Sequence, residues 1–390
     1  MSEIRPTLDL DLVWTAGHLP RKPIDADLFR LLEAIKRSGK LSVATAEVGL
    51  HYRQAWGLIT TWSERMGQPL VAKARGRGTR LTALGERLLW IRERINARLA
   101  PHLESAASEV EQQLGEILDE THPALCVYAS HDLVLAELRD LLRTGSGPKL
   151  DVRFVGSLES VVALCKSQCE IAGFHLPEGS LGREVFPKYE PWLKPRVQRL
   201  IHFVRRAQGL IVAPGNPLGI GSLADVARTK ARFINRQRGS GTHLALDKML
   251  ADSGIDKGDI SGYYTEEFTH LAVAAAIAGG VADAGLGIEA AARKLKMDFI
   301  PLFCEDYYLL AKRETIERED VQNVIAVLKT ESFRRIVVAF PGYEASVAGS
   351  IVTLDEAMSQ QPGRARGAAM PSGRTAETRR CPGRNITRDN

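Results

Sequence analysis

Arg232-Phe233-Ile234-Asn235-Arg236-Gln237-Arg238-Gly239-Ser240-Gly241-Thr242-His243 is the stretch on which the larger part of the chain turns. Residues 232–235 read as a short strand. The Gly-Ser-Gly-Thr run that follows is a tight turn, and a helix opens at about residue 243 and closes near 253. The same texture extends to both sides. Upstream, residues 125–129 are an apolar strand, and Ser130-His131-Asp132 opens a helix to 142. Residues 150–155 are a second strand, with Ser157 capping a helix to 165, and 170–174 are a third. Residues 200–205 and 210–212 lead as strands into Pro214-Gly215-Asn216-Pro217. Downstream come a strand at 260–263, a helix at 268–279, a buried strand at 282–286, strands at 299–303 and 307–311, and helices at 318–329 and 332–338. Strand and helix in alternation predict a parallel sheet covered by helices on both faces, hence an α/β body.

Such a sheet places ligands in the crevice beyond the strand ends, where helices begin. Ser130, Ser157, Ser240, Thr242 and Thr269 all fall there. Helix N-termini carry unpaired N–H groups and partial positive charge, so an anion is the ligand this arrangement predicts. Gly239 and Gly241 let the backbone approach it, and Arg236 adds a full charge. His131 and His243, with His175 and His270, can donate to an oxyanion or tune its binding with pH. Asp132 and Asp283 suit an anion less; they orient neighbours or meet a cationic part of the ligand. The alternative for each Ser or Thr is a plain helix cap.

The first hundred residues have a different texture. Residues 25–37 carry Leu28, Leu31, Leu32 and Ile35 on one helical face, and Ser38-Gly39-Lys40 ends that helix. Ser42 reads as the cap of a short helix over 43–48, Gly49 supplies a turn, and a third helix spans about 51–66: the helix-turn-helix layout. A hairpin follows, with residues 69–73 and 81–82 as strands and a basic tip between them. Thr82 then opens a long helix whose Leu84, Leu88, Ile91, Ile95 and Leu99 predict a dimer seam. Tyr52, Arg53 and Gln54 occupy the first turn of the recognition helix and can reach base edges or phosphates, and Ser42 is counted with them as a DNA-contacting residue. Lys73, Arg75, Arg77 and Arg80 sit where a wing meets the DNA backbone or a minor groove. Charge follows the same division. Residues 21–98 hold 16 Lys/Arg against 7 Asp/Glu, a net of +9, whereas residues 99–356 carry −7. A basic module joined to an acidic body predicts a polyanionic partner, double-stranded DNA, for the first part alone.

Leu31 to Ile35, Ser38-Gly39, Tyr52-Arg53-Gln54-Ala55-Trp56 and Leu81-Thr82-Ala83-Leu84-Gly85 together resemble the winged heads of the ModE regulators and the related LysR-type regulators. Residues 235–243, 262–267, Thr269-His270 and 282–287 resemble the type II periplasmic-binding-protein-like domains found attached to such heads. The resemblance implies a homodimeric regulator. It also implies a body of two α/β lobes joined by a double crossover near 200–205 and 302–308, with ligand between them. The domains expected are an arm (1–20), an all-α-rich winged helix-turn-helix with its dimerisation helix (21–100) and a linker (101–123). A ligand-binding domain follows (124–356, one lobe about 124–202 with 305–350, the other about 203–304), then an Arg-rich disordered tail (357–390). The resemblance makes molybdate, tungstate or a molybdenum-cofactor-related molecule the candidate effector, although the small molybdate-binding domain that completes the ModE family is not read in this chain. An organic carboxylate, as for LysR regulators, is the alternative, and a solute-binding protein is the rival from another class.

The remaining features narrow the choice. The N-terminus lacks the basic-then-apolar pattern of a signal peptide, which leads us to expect a cytoplasmic protein. The most apolar stretch, residues 271–282, is too short to cross a membrane. Five cysteines at scattered spacing make no disulfide framework, and Cys165 with Cys169 read as small core residues without a second pair to complete a zinc site. No P-loop, nucleotide fingerprint, zinc-protease motif or nucleophile elbow occurs, so no catalytic or metal site and no cofactor is expected.

Overall fold

The computed structural model describes residues 13–14, 22–74, 78–117, 124–144 and 147–359. The expected N-terminal arm, apart from 13–14, and the tail beyond 359 lie outside the described residues. The described residues divide into two compact units, one up to Ala97 and the other from Arg98 onward.

In the smaller unit a two-residue strand β1 (Val13–Trp14) pairs antiparallel with β2 (Lys22–Pro23). Helices α1 (Ala26–Ser38), α2 (Leu41–Val48) and α3 (Tyr52–Met66) follow, then a hairpin of β3 (Val71–Ala74) and β4 (Gly78–Leu81) and the start of α4 (Ala83–Ile117). Leu28, Leu31, Leu32, Ile35, Ala55, Ile59 and Trp62 form one core, and the Trp62 indole donates to Asp25 Oδ2 at 2.7 Å. Gly39, Gly49 and Gly67 end the three helices in the left-handed conformation. Helix α2 starts earlier than the sequence suggests. Lys40, extended, is its N-cap and Leu41 its first residue, because Leu41 enters the core. Ser42 is thereby moved from cap to exposed first turn. The hairpin is fixed against the α1–α2 turn: Thr79 N donates to Gly39 O at 2.8 Å. A Cβ at Gly78 (φ +86°) would stand 2.1 Å from that oxygen, so only glycine fits. The expected seam also divides. Leu84 and Leu88 pack on the core of this unit, and Ile91 is exposed.

In the larger unit the elements are β5 (Leu125–Ala129), α5 (Leu133–Thr144), β6 (Leu150–Phe154), α6 (Ser157–Cys165), β7 (Ile171–Pro177), α7 (Gly179–Val185), β8 (Gln198–Val212), α8 (Leu223–Thr229), β9 (Phe233–Arg236), α9 (Gly241–Asp252), β10 (Glu266–Glu267), α10 (His270–Ala278), β11 (Ala284–Ile288), α11 (Glu289–Lys294), β12 (Asp298–Lys312), α12 (Arg313–Ile316), α13 (Glu319–Leu328), α14 (Glu331–Val338), β13 (Tyr343–Glu344), β14 (Ile351–Val352) and α15 (Leu354–Ser359). One mixed sheet runs in the order β10-β9-β11-β8-β12-β7-β5-β6, with β13 and β14 also pairing β8. Strands β5, β6 and β7 are parallel and belong to one lobe; β9, β10 and β11 are parallel and belong to the other.

The two crossovers are β8 and β12 themselves. Each is 15 residues long and they pair antiparallel from Gln198↔Lys312 to Val212↔Asp298. The stretches read as separate strands at 200–205 and 210–212, and at 299–303 and 307–311, are halves of these continuous hinge strands. Register shifts at 301/303 and 307/308 let the pair twist from one lobe into the other. Two expectations change here. Residues 260–263 are a turn rather than a strand. Phe233 N donates to Ser261 O, and Gly262 (φ +88°) passes so close to β9 that a Cβ would meet Phe233 O at 2.3 Å. The expected linker 101–123 is helical through 117. It docks on β6, the sheet's end strand: Phe154 N donates to Ser105 Oγ at 3.0 Å and Ser108 Oγ donates to Asp151 at 2.8 Å. A helix laid there covers an otherwise open sheet edge.

Candidate anion site between the two lobes

The antiparallel register sets Arg206 opposite Glu305, and alternation puts Arg206, Gln208, Glu305 and Tyr307 on one face of the hinge strands. His175 on β7 is opposite Tyr307, and their rings lie 3.9 Å apart. This row forms a floor, and all five residues are buried. Four helix N-termini, two from each lobe, reach it. From α5, Asp132 accepts from Arg206 Nη1 at 2.5 Å. From α6, Ser157 Oγ lies 3.3 Å from His175 Nδ1. From α9, Thr242 Oγ1 accepts from Gln208 Nε2 at 3.0 Å. From α10, His270 Nε2 accepts from Arg206 Nη2 at 3.4 Å. The lobes meet above the floor, for a Cβ at Gly156 would be 3.7 Å from the Gly239 carbonyl.

The charges on the floor are unequal in their pairing. Arg206 donates to Asp132 and to Glu305 Oε1 at 2.7 Å. Burial alone would lower its pKa, but Glu305, Tyr343 and Asp132 hold it above the ordinary value. Tyr343 OH also donates to Asp132 at 2.7 Å. Arg236 is different. It is 4% exposed, and its donors go to Gln237 Oε1 and the Phe268 carbonyl. Among the described residues no carboxylate pairs with it. Burial, then Arg206, depress its pKa, with Glu305 opposing them. Its charge is felt by His131, His175 and His270. Burial, together with the two arginines, pushes all three histidines down, His131 to about 4, so they are neutral. An arginine can only donate, so His270 Nε2 accepts and its hydrogen is on Nδ1, which is buried without a partner among the described residues.

The structure sorts the residues expected from sequence. Ser240 and Thr269 are true N-caps, accepting from His243 N and Ala272 N. Gly239 supplies the left-handed turn before Ser240 (φ +82°), and Gly241 packs against His175. Ser130 and Ser157 are not caps. Asp132 takes the cap role for α5, accepting from Val134 N, and Gly156 takes it for α6. Their hydroxyls are left to bond each other at 2.7 Å over the floor. His243 is turned away, with Nδ1 on the Arg236 carbonyl and Nε2 on Tyr263 OH. Asp283 falls outside the site. β11 and β9 run parallel, so Asp283 sits at the strand starts, opposite to the ends that carry Arg236, and makes an ion pair with Arg232. Arg206, Gln208, Glu305, Tyr307 and Tyr343 escaped sequence reading. The signal was a charged or amide residue at alternate positions inside apolar strands.

In the smaller unit Tyr52 is 53% exposed, and Arg53 and Gln54 are exposed beside it on α3. Gln54 Oε1 accepts from His51 N, so its side chain caps the helix. Lys73 Nζ lies 4.6 Å over the Trp56 ring and Arg80 is exposed. Arg75 and Arg77 lie outside the described residues. No group of three His, Cys, Asp or Glu side chains able to hold a metal occurs among the described residues. Burial raises the Cys126 and Cys169 thiols to about 11 and 12. Among the described residues no helix is long and apolar enough to cross a membrane.

Two lobes on paired hinge strands with helix N-termini converging between them define a binding domain of the periplasmic type, and residues 138–329 match the PBP superfamily domain. The chain belongs to the same family as "Uncharacterized protein YvgK" of Bacillus subtilis (strain 168), with 30% identity over 249 residues, 63% of this chain and 79% of that one. It is also similar to the Molybdenum transport protein ModE of Azotobacter vinelandii, with 32% identity over 111 residues, covering 25% of this chain and 40% of the relative. Among solved structures it is similar to an H2O2-bound mutant of Corynebacterium glutamicum OxyR, at a TM-score of 0.43 and 12% identity, covering 80% of this chain and 93% of that one. The match to the PBP superfamily domain and the similarity to ModE agree with the PBP-like and ModE-like resemblances read from the residues.

Proposed function

We propose that this chain is a cytoplasmic, ligand-responsive DNA-binding transcription regulator, without catalytic activity. It acts as a homodimer whose winged heads bind duplex DNA and whose bodies bind a small anion. The observation that carries the ligand reading is Arg236, a buried cation with no carboxylate partner among the described residues, set amid helix N-termini of both lobes. A buried charge without a counterion is costly, and an anionic ligand supplies one. The ModE resemblance makes molybdate and tungstate the first anions to try. The exposed Tyr52 and Arg53, with Lys73 and Arg80, support DNA contact.

A route from ligand to DNA is at hand. Phe268, whose carbonyl holds Arg236, packs its ring at a tilt against His102, with centroids 5.1 Å apart. Its neighbour Glu267 binds Arg98 in two hydrogen bonds of 2.7 and 2.8 Å. Arg98 and His102 belong to α4, which begins at Ala83 in the smaller unit. Ligand that prefers one pose of residues 267–268 thereby biases α4. The test is fluorescence anisotropy of the full-length protein on duplex DNA, across salt concentrations, with and without anion. Affinity should fall steeply with salt. Arg53→Ala should weaken DNA binding about tenfold or more and leave anion binding intact, and Arg98→Ala should keep both activities but erase the effect of one on the other. Salt-insensitive or absent duplex binding would overturn the regulator reading.

A further inference from the structure

The floor offers bare acceptors as well as donors. Glu305 Oε1 receives Arg206 Nε and, at 2.9 Å, Gln208 Nε2. Its other oxygen, Oε2, is buried with no donor among the described residues. The Gln208 amide has one orientation only, since its Nε2 donates to both Glu305 and Thr242. Turned over, it would bring its carbonyl against a carboxylate oxygen. Gln208 Oε1 is therefore the second buried acceptor left without a hydrogen. Both residues are 0% exposed. They share the floor face with Arg206, and Gln208 lies directly under the first turn of α9. The charge balance points the same way. Arg206 and Arg236 are offset by Asp132 and Glu305, and the three histidines are neutral, so the cluster is close to zero in formal charge before ligand enters.

A proton-free dianion would satisfy Arg236 but leave both acceptors unpaired beside its own oxygens, the costly condition for buried polar atoms. An anion with its own O–H or N–H satisfies both sides. We infer that the ligand of this site is an anion that brings a hydrogen-bond donor, an acid oxyanion of the hydrogen phosphate kind or a hydroxy-carboxylate, in preference to sulfate, molybdate or tungstate. This rests on the anion reading above and narrows it.

The test is calorimetric titration of the full-length protein with matched probes: inorganic phosphate against sulfate, molybdate and tungstate, and glycolate against acetate. The donor-bearing member of each set should bind at least tenfold more tightly. Glu305→Gln puts an N–H where the bare oxygen stood, and should reduce or invert that ratio. Should this variant fail to fold, the wild-type ratios decide alone. Sulfate, molybdate or tungstate binding as tightly as phosphate overturns the inference and leaves the anion reading standing, as does an unchanged ratio in folded Glu305→Gln. Binding of none of these anions overturns both.

Discussion

Arg206→Met should destabilise the larger unit by about 3–5 kcal/mol, read as a loss in melting temperature and denaturant midpoint. Asp132 and Glu305 are both buried, and Arg206 is the cation each is paired with. Methionine fills much of the volume but returns no charge, so two carboxylates remain in a site closed to water. Their pKa values then rise, and the variant is neutralised by protonation. The folded variant then binds protons more readily than the unfolded chain, so its deficit shrinks as pH falls towards the ordinary carboxylate range. A deficit that is small, or that does not shrink in acid, would show that Arg206 is not the keystone of the floor.

Arg236→Met should do the reverse. Its guanidinium donates to an amide oxygen and a backbone carbonyl, and among the described residues no carboxylate forms an ion pair with it. Removing it should leave the ligand-free protein as stable as before or more so. Anion affinity should fall about a hundredfold, or roughly 3 kcal/mol. The two arginines stand on neighbouring parts of the same site, yet one supports the fold and the other serves the ligand. Measuring melting temperature and anion affinity on both variants separates the roles. Equal loss of stability in both would contradict the assignment.

Much of this was legible in the residues. The glycine-serine-glycine-threonine turn after 232–236 announced a strand, a close backbone and a helix N-terminus, and the structure has β9, Gly239 and α9 there. The head's helices were read from apolar spacing and glycine stops, which are local signals. What stayed hidden depends on pairing between distant segments. Arg206 and Glu305 are 99 residues apart in sequence and meet only because β8 and β12 pair in one register. Asp283 looked equivalent to Asp132, each beside a strand, but it stands at a strand start and Asp132 at a strand end; direction in the sheet is not written in composition. The same holds for Ser130 and Ser157, whose neighbours Asp132 and Gly156 took the caps and left two hydroxyls for the floor.

Hydrogen exchange of the full-length protein, with and without saturating phosphate and molybdate, tests the central claim most directly. If the space between the lobes is an anion site, one of these ions should slow exchange of the amides at the starts of α6, α9 and α10, around residues 157–160, 241–244 and 270–273, and of residues 267–268 beside Arg236. Residues 283–284, at the far end of their strand, should be unaffected. Protection confined to other segments, or none with any anion, would contradict the account.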